Sequence, residues 1–91
     1  MPGSVSILVG KKPVMNYLVA CLTLFHSGVK EVNVKARGRA ISKAVGVVGV
    51  LRRRFLPDIK ISSINIGTEQ VQSKNRPTSV NVNTIEIALI R

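Results

Sequence analysis

The sequence predicts an α+β fold, a two-layer sandwich with two helices on one face of a four-stranded mixed sheet, in the order strand, helix, strand, helix, strand, strand. Two short apolar segments are each followed by a longer stretch whose apolar residues recur at three and four residue steps, which is typical of amphipathic helices. The last third of the chain changes to a period of two, which indicates strands. With 91 residues and a hydrophobic content of 45%, the chain is expected to form one domain over residues 1–91.

The first strand and helix are predicted from a short apolar run and a helical apolar stripe. Residues 4–9 are rich in Val, Ile and Leu, as in a buried strand. Pro13 is favoured at the first position of a helix, and Gly28 ends it. The expected buried face of this helix contains Met15, Leu18, Val19, Leu22, Phe25 and His26.

The second strand, residues 29–35, alternates apolar and polar residues, so Val32 and Val34 are expected to face inward. A helix of residues 39–55 follows, and Pro57 prevents its continuation. The expected core stripe of this second helix is Ile41, Ala44, Val45, Val48, Leu51 and Phe55.

The C-terminal third predicts a long hairpin. The isoleucines before and after residues 62–63 occupy opposite phases, so a bulge is expected there. A strand of residues 59–72 would extend about 45 Å, against a radius of gyration of about 12 Å for a compact chain of this length. The hairpin is therefore expected to protrude, with a polar outer half that forms a flexible arm. Lys74 and Arg76 lie near its tip, where two roles are open: keeping the hairpin soluble, or entering a DNA minor groove.

The charge balance favours a polyanionic partner. Fourteen Lys and Arg residues against four Asp and Glu give a net charge of +10 and a pI near 11.0. The single cysteine, Cys21, excludes an internal disulfide and is typical of a reducing compartment. The apolar run over residues 17–25 is shorter than the ~20 residues of a membrane span. The sequence therefore predicts a soluble intracellular protein with no signal peptide and no membrane partner.

Each predicted helix begins directly after a basic, glycine-containing turn. Lys11 and Lys12 follow the first strand, and Arg37 and Arg39 follow the second. A helix N-terminus carries about half a positive charge, so cations there are unfavourable unless an anion such as phosphate compensates them. If the two strands are parallel, their turns lie on the same edge of the sheet and the four cations converge.

Two further groups of cations lie on the second helix. Lys43 is one helical turn beyond Arg39 and is expected on the same surface. Residues 52–54 are three arginines at a helix end, where the dipole already favours cations. For these three, a secondary nucleic-acid contact and a purely structural role are equally open.

Catalytic chemistry is poorly supported by the sequence. One His, one Cys and four separated acids provide no pair at metal-ligand or acid–base spacing. The sequence therefore predicts a binding protein that is not an enzyme and needs no metal or cofactor. Base-stacking aromatics are also few, so binding is expected to depend on backbone phosphates with little reading of sequence.

Three segments resemble the Alba family of archaeal chromatin proteins: GKKPVMNY at residues 10–17, KARGRAISKAV at residues 35–45 and RFLPD at residues 54–58. The likeness covers almost the whole chain, in order. It implies a fold similar to the C-terminal domain of translation initiation factor three, a homodimer, and binding to double-stranded DNA and RNA without sequence preference. It also implies a cytoplasmic protein associated with the chromosome, or nucleoid.

The resemblance also implies roles for single residues. Lys11 and Lys12 match a lysine pair that contacts nucleic acid and is acetylated, which adds acetylation and deacetylation enzymes as partners. Phe55 matches a phenylalanine exposed between adjacent dimers on the duplex, in contrast to its place on the predicted core stripe. The full set of predicted nucleic-acid contacts is Lys11, Lys12, Asn16, Tyr17, Arg37, Arg39, Lys43, Lys74 and Arg76.

The chain departs from the family at Gly46 and Gly49, where many relatives carry acidic residues. Each glycine inside a helix costs up to about 1 kcal/mol relative to alanine. The subunit interface, in a homodimer or in a heterodimer with a paralogue, therefore stays open at this point. Two functional classes also stay open: a chromosomal protein that coats and compacts DNA and also binds RNA, and a dedicated RNA-binding component of a ribonucleoprotein.

Overall fold

The computed structural model describes residues 4–72 and 79–91 of the 91-residue chain. Within these residues, the helices and strands follow one another in the order that the sequence predicts. Their bounds are β1 Ser4–Leu8, α1 Val14–His26, β2 Glu31–Arg37, α2 Ala40–Val50, a π-helical turn Leu51–Phe55, β3 Lys60–Gln72 and β4 Ser79–Ile90.

The strands form a mixed four-stranded sheet in the order β1-β2-β4-β3. β1 pairs parallel with β2, whereas β4 pairs antiparallel with both β2 and β3. Along β2, Val32, Val34 and Ala36 are buried while the residues between them are partly exposed, so one face of the sheet is covered. Both helices pack against β2 and against each other, which confirms the predicted two-layer α+β fold.

The buried face of α1 differs from the expected one. Tyr17 and Cys21 are buried with Leu18, whereas Met15 and Val19, which the apolar stripe placed in the core, are exposed. At 3.6 residues per turn, the observed face is rotated by about a quarter turn from the predicted one. The prediction was wrong because α1 is apolar on most of its circumference, and spacing alone does not select the apolar face that meets the sheet.

The second helical segment changes geometry at its end. The α-helix stops at Val50 and continues as the π-helical turn Leu51–Phe55. This turn is closed by a hydrogen bond of 2.8 Å from the Leu56 N–H to the Leu51 carbonyl, five residues earlier. The prediction of a regular α-helix through Phe55 was therefore wrong in its last turn. The wider turn moves Phe55 off the core stripe that an α-helix would give it.

The core stripe of α2 also differs from the expected one, since it gains Val47 and loses Val45. Ala44, Val47 and Val48 are buried, whereas Val45, which was expected in the core, is exposed. A Cβ added to Gly46 would meet nothing within 4 Å. The glycine at this position is therefore not explained by close packing within one chain.

β3 and β4 form a long antiparallel hairpin, and the molecule measures 46 × 24 × 20 Å. The long dimension agrees with the predicted protrusion. The register shifts between Ile61 and Ser63, which confirms the predicted bulge. The predicted flexible arm tip, with Lys74 and Arg76, lies outside the described residues.

The edge strand β3 carries an isoleucine stripe, made of Ile61, Ile64 and Ile66. These residues pair across from Leu89, Ile87 and Ile85 of β4, and directly opposed residues of an antiparallel pair share a face of the sheet. Leu89 and Ile87 are buried, whereas Ile64 is 54% and Ile66 is 82% exposed. Since the helices pack against β1 and β2, the isoleucine stripe lies on the core face of the sheet but beyond the helical layer.

The π-helical turn leads to a stability prediction with its own internal control. Leu51 is fully buried, whereas Phe55 is 45% exposed. Leu51→Ala is expected to reduce the free energy of unfolding by about 2–5 kcal/mol, because it leaves a cavity in the core. Phe55→Ala is expected to cost less, about 1–2 kcal/mol, because nearly half of the Phe55 side chain is already exposed. Urea unfolding followed by circular dichroism measures both, and equal losses would contradict the exposed placement of Phe55.

Candidate functional site

The turns after β1 and β2 meet at one edge of the sheet. The strands are parallel with Leu8 paired to Lys35, and the Val9 N–H donates to the Lys35 carbonyl at 2.8 Å. The first turn, residues 10–12, leads into α1, and the second turn, residues 37–39, leads into α2. β1 and β2 are thus parallel, so the condition stated for the convergence of the two basic turns is met and the turns share one edge.

The first turn is held from both sides by side chains of the two helices. The N–H groups of Gly10 and Lys12 donate to the hydroxyl oxygen of Tyr17 at 2.8 and 3.1 Å. The carbonyl oxygens of the same two residues accept from the Lys43 ammonium at 2.9 and 2.8 Å. The backbone of the turn is therefore anchored at both ends, while the side chains of Lys11 and Lys12 remain exposed.

The second turn depends on a glycine in the left-handed region. Gly38 has a φ of +58°, a conformation that residues with a Cβ rarely adopt. Its N–H donates to the Asn83 carbonyl of β4 at 2.8 Å, and an added Cβ would lie 3.4 Å from Cγ1 of Val82. Arg37 and Arg39, on either side of the glycine, are exposed. The turn is thus tied to the hairpin and presents two guanidinium groups to solvent.

Both turns border one shallow depression, which we call the basic concavity. Its polar and cationic lining residues are Lys11, Tyr17, Arg37, Arg39 and Lys43. Neither α1 nor α2 has a side-chain cap or an acidic residue in its first turn. The basic concavity therefore combines side-chain cations with the positive ends of two helix dipoles. Such a surface suits an anion with several oxygen atoms, such as phosphate.

One cation of the basic concavity is paired with an acid. Nη1 of Arg37 lies 3.5 Å from Oε2 of Glu69 on β3, and more than half of each side chain is exposed. Exposed ion pairs of this kind stabilise a fold by about 0–1 kcal/mol. Glu69 therefore matters less for the stability of the fold than for the negative charge that it places beside Arg37.

The arginines at the end of the helical segment contact the backbone. Nε of Arg52 donates to the Ile59 carbonyl at 3.1 Å, and Nε of Arg53 donates to the Gly49 carbonyl at 3.3 Å. These bonds favour a structural role for the two side chains, which was one of the two roles that the sequence left open.

The sequence pattern groups the cations but does not indicate the side chains that hold the first turn or the acid that pairs with Arg37. Lys11, Arg37 and Arg39 line the basic concavity, and Asn16 lies exposed in the first turn of α1. The ring of Tyr17, by contrast, is buried, and its hydroxyl is occupied by the first turn. Glu69 was not singled out, because nothing in the local sequence connects it with Arg37.

The titratable groups offer little reactive chemistry. Burial raises the pKa of the Cys21 thiol to about 11, so the thiol stays protonated at neutral pH and is a poor nucleophile or metal ligand. His26 is exposed in the last turn of α1. Among residues 4–72 and 79–91, no three His, Cys, Asp or Glu side chains are grouped so as to hold a metal ion. In the same part of the chain, no helix is long and apolar enough to cross a membrane.

The fold and the site define a class of small, strongly basic two-layer α+β domains that present a cationic sheet edge and a long hairpin. The family model for Alba matches residues 5–68. The chain is 54% identical over 86 residues to DNA/RNA-binding protein Alba 1 of Archaeoglobus fulgidus, which covers 94% of each protein. It is 52% identical over 91 residues to DNA/RNA-binding protein Alba of Methanocella arvoryzae, which covers all of this chain and 94% of that protein.

Solved structures agree with the sequence comparison. Alba from Thermoplasma volcanium matches with a TM-score of 0.90 at 45% identity, covering 96% of this chain and all of that one. ALBA1 from Trypanosoma brucei matches with a TM-score of 0.71 at 29% identity, covering 94% of this chain and 68% of that one. The chain belongs to the Alba family. This confirms the resemblance and groups the chain with binding proteins and not with enzymes, as the sequence analysis expected.

Proposed function

We propose that this chain binds double-stranded DNA without sequence preference, coats and compacts the chromosome, and also binds RNA. The observation that carries the proposal is the basic concavity, where Lys11, Arg37 and Arg39 meet beside two helix N-termini. The relatives from A. fulgidus and M. arvoryzae are named DNA/RNA-binding proteins, which supports the same partners. A net charge of +10 adds long-range attraction to a polyanion and favours a chromosome-associated, cytoplasmic protein.

Recognition is proposed to depend on phosphates and not on base edges. Guanidinium groups such as those of Arg37 and Arg39 form paired hydrogen bonds with phosphate oxygens, and the ammonium groups of Lys11 and Lys12 act as point charges. Both kinds of contact accept DNA and RNA backbones. Tyr17 has a buried ring, so this aromatic offers little surface on which a base could stack. Binding should therefore tolerate sequence changes and respond strongly to salt.

The hairpin supplies a second contact in this proposal. β3 and β4 contribute to a molecule 46 Å long, and Lys74 and Arg76 belong to the segment that connects these strands. A minor groove is only about 6 Å wide, and an extended arm fits it where a helix does not. We therefore assign these two side chains to the minor groove.

The proposal includes a homodimer that buries the isoleucine stripe (Ile61, Ile64, Ile66). An edge strand with a continuous exposed apolar surface is unfavourable in water, and a chain of 91 residues gains stability from additional burial. A second copy related by a two-fold axis can pack the same stripe against this one. A paralogue with a similar stripe would form a heterodimer through the same contact.

Phe55 and the lysine pair complete the proposal. We assign Phe55, which is exposed beside the arginines of the π-helical turn, to a contact between neighbouring dimers on the duplex.

Acetylation of Lys11 or Lys12 removes one positive charge from the first turn, so acetylating and deacetylating enzymes would adjust the affinity for nucleic acid.

Salt dependence provides the main test of this function. With about six to ten phosphates contacted, duplex affinity is expected to fall roughly 10³- to 10⁵-fold between 50 and 200 mM salt. The double variant Lys11→Gln, Lys12→Gln is expected to stay folded, to bind more weakly, and to have a salt slope reduced by about one unit for each lost contact. Fluorescence anisotropy with two unrelated DNA duplexes measures both effects.

The control for net charge is Lys30→Gln, which removes one exposed cation at the other end of β2 and should change affinity less than the single variants Lys11→Gln and Lys12→Gln. Arg37→Ala and Arg39→Ala should weaken binding more than Arg53→Ala, whose guanidinium contacts the helix backbone. A flat salt response, or a strong preference for one DNA sequence, would contradict the proposal. Competition with duplex RNA at the same salt concentration tests the alternative of a dedicated RNA-binding protein.

The Arg37–Glu69 pair predicts a substitution that strengthens duplex binding instead of weakening it. Glu69 competes with phosphate for Arg37, so Glu69→Gln is expected to tighten duplex binding by about fivefold at low salt. Glu31→Gln makes the same change in net charge at the far end of β2 and serves as the control. Anisotropy titrations of both variants measure the difference. Equal gains from the two substitutions would show that net charge, and not the position of Glu69, determines the effect.

The isoleucine stripe predicts the oligomeric state. The double variant Ile64→Ser, Ile66→Ser is expected to shift a dimer of about 20 kDa, the mass of two 9.9 kDa chains, toward the monomer, because the apolar contact is lost. Val19→Ser removes an exposed apolar side chain from α1 and should leave the dimer intact. Sedimentation velocity distinguishes the two masses. A monomeric wild-type chain, or a stripe variant that remains fully dimeric, would contradict this interface.

A further inference from the structure

Two side chains form hydrogen bonds with the backbone of the first turn (residues 10–12), one with its N–H groups and the other with its carbonyl groups. Gly10 and Lys12 each donate an N–H to the Tyr17 hydroxyl, and each accepts a hydrogen bond from the Lys43 ammonium, at distances between 2.8 and 3.1 Å. Tyr17 lies on α1 and Lys43 lies on α2. The turn is thus connected to both helices, and the two side chains together form what we call the turn clamp.

The turn clamp uses most of the bonding capacity of its members. A hydroxyl oxygen has two acceptor positions, and both receive an N–H here. An ammonium group has three donors, and two of those of Lys43 are directed to carbonyl oxygens. Lys43 is also half-buried, whereas Lys11 and Lys12 are exposed. A phosphate that approached Lys43 would therefore compete with two carbonyl groups that already hold the ammonium.

We propose that Lys43 is a positioning residue, which together with Tyr17 holds the first turn so that Lys11 and Lys12 project toward bound phosphate. This inference rests on the proposed nucleic-acid binding and changes the expected role of Lys43 from a phosphate contact to a support. The physical reason is preorganisation. A turn that is ordered before binding loses less conformational entropy when its lysines engage the duplex, so more of the interaction energy appears as affinity.

A double-mutant cycle distinguishes support from direct contact. Lys43→Met removes the charge and all three donors but keeps the aliphatic stem. In the wild-type background it should weaken duplex binding by roughly five- to thirty-fold, the effect of one or two kcal/mol. In the Lys11→Gln, Lys12→Gln background it should weaken binding by less than about twofold, because the lysines that the clamp positions are gone. Equal losses in both backgrounds would identify Lys43 as an independent phosphate contact and overturn the inference.

Two controls accompany the cycle. Lys30→Met removes one exposed cation at the far end of β2 and gives the effect of net charge alone, which is subtracted from that of Lys43→Met. Arg39→Met removes an exposed cation that lines the basic concavity from the second turn. Its effect should be additive with that of the double lysine variant, as expected for a group that acts on phosphate by itself.

Amide hydrogen exchange tests the clamp without nucleic acid. In the free protein, Lys43→Met should accelerate exchange at the N–H groups of Gly10 and Lys12 by about tenfold or more, because local opening of the turn becomes easier. Tyr17→Phe removes the acceptor of the same two N–H groups and should accelerate them as well, while keeping the buried ring in place. Arg39→Met should leave them unchanged.

The outcomes separate this inference from the function on which it rests. If the proposed function is wrong, the wild-type protein will not bind duplex at low salt, whatever the amide exchange rates at Gly10 and Lys12 are. Failure of the inference would appear as protein that binds duplex but shows unchanged exchange at Gly10 and Lys12 in Lys43→Met. If Lys43→Met does not fold, Tyr17→Phe takes its place in the cycle, with the same expected result. An effect of Tyr17→Phe on affinity that is equal with and without the double lysine substitution would overturn the proposed role of the turn clamp.

Discussion

The parallel pairing of β1 with β2 is the constraint on which the cationic edge depends. Because Leu8 lies opposite Lys35, both strands end at the same edge, and the turns 10–12 and 37–39 begin side by side. A one-residue slip of β2 would turn Val32 and Val34 from the core to the open face of the sheet. The burial that stabilises the sheet therefore also determines how far apart the cations of the two turns lie.

The helical layer covers only part of the sheet, so the chain has two different surfaces. The helices pack on β1 and β2, where the core is complete. Beyond them, β3 carries the exposed isoleucine stripe, and in the described part of the chain it lacks the helix packing that β2 receives. The apolar part of the hairpin thus lacks the second layer that an α+β sandwich requires, whereas the cationic edge is complete in one chain. In the function proposed above, a second copy of the chain buries the isoleucine stripe, and nucleic-acid phosphates neutralise the cationic edge.

The sequence predicted the order of elements, the bulge and the two basic turns, because each depends on local signals: apolar periodicity, glycine, proline and charge. It did not predict which face of α1 is buried, since Met15 and Val19 are as apolar as Cys21 and the choice is made by packing on the sheet. The contacts of Lys43 with the first turn and of Arg37 with Glu69 also join residues far apart in the chain, and no local pattern carries that information.

The two turns present their cations by different physical means, and in the proposed function their cations therefore contribute differently to binding. The first turn is ordered by hydrogen bonds to its backbone, so Lys11 and Lys12 reach solvent from a fixed position. Among residues 4–72 and 79–91, neither lysine is ion-paired with an acid. The second turn carries Arg37 in an exposed pair with Glu69, which water and salt weaken easily. In the proposed function, a phosphate therefore meets an internal competitor at Arg37, whereas the described residues show no ion pair at Lys11, Lys12 or Arg39. On that proposal, Lys11, Lys12 and Arg39 set the basal attraction to a duplex, while Arg37 adds affinity only where a phosphate lies close enough to displace the Glu69 carboxylate.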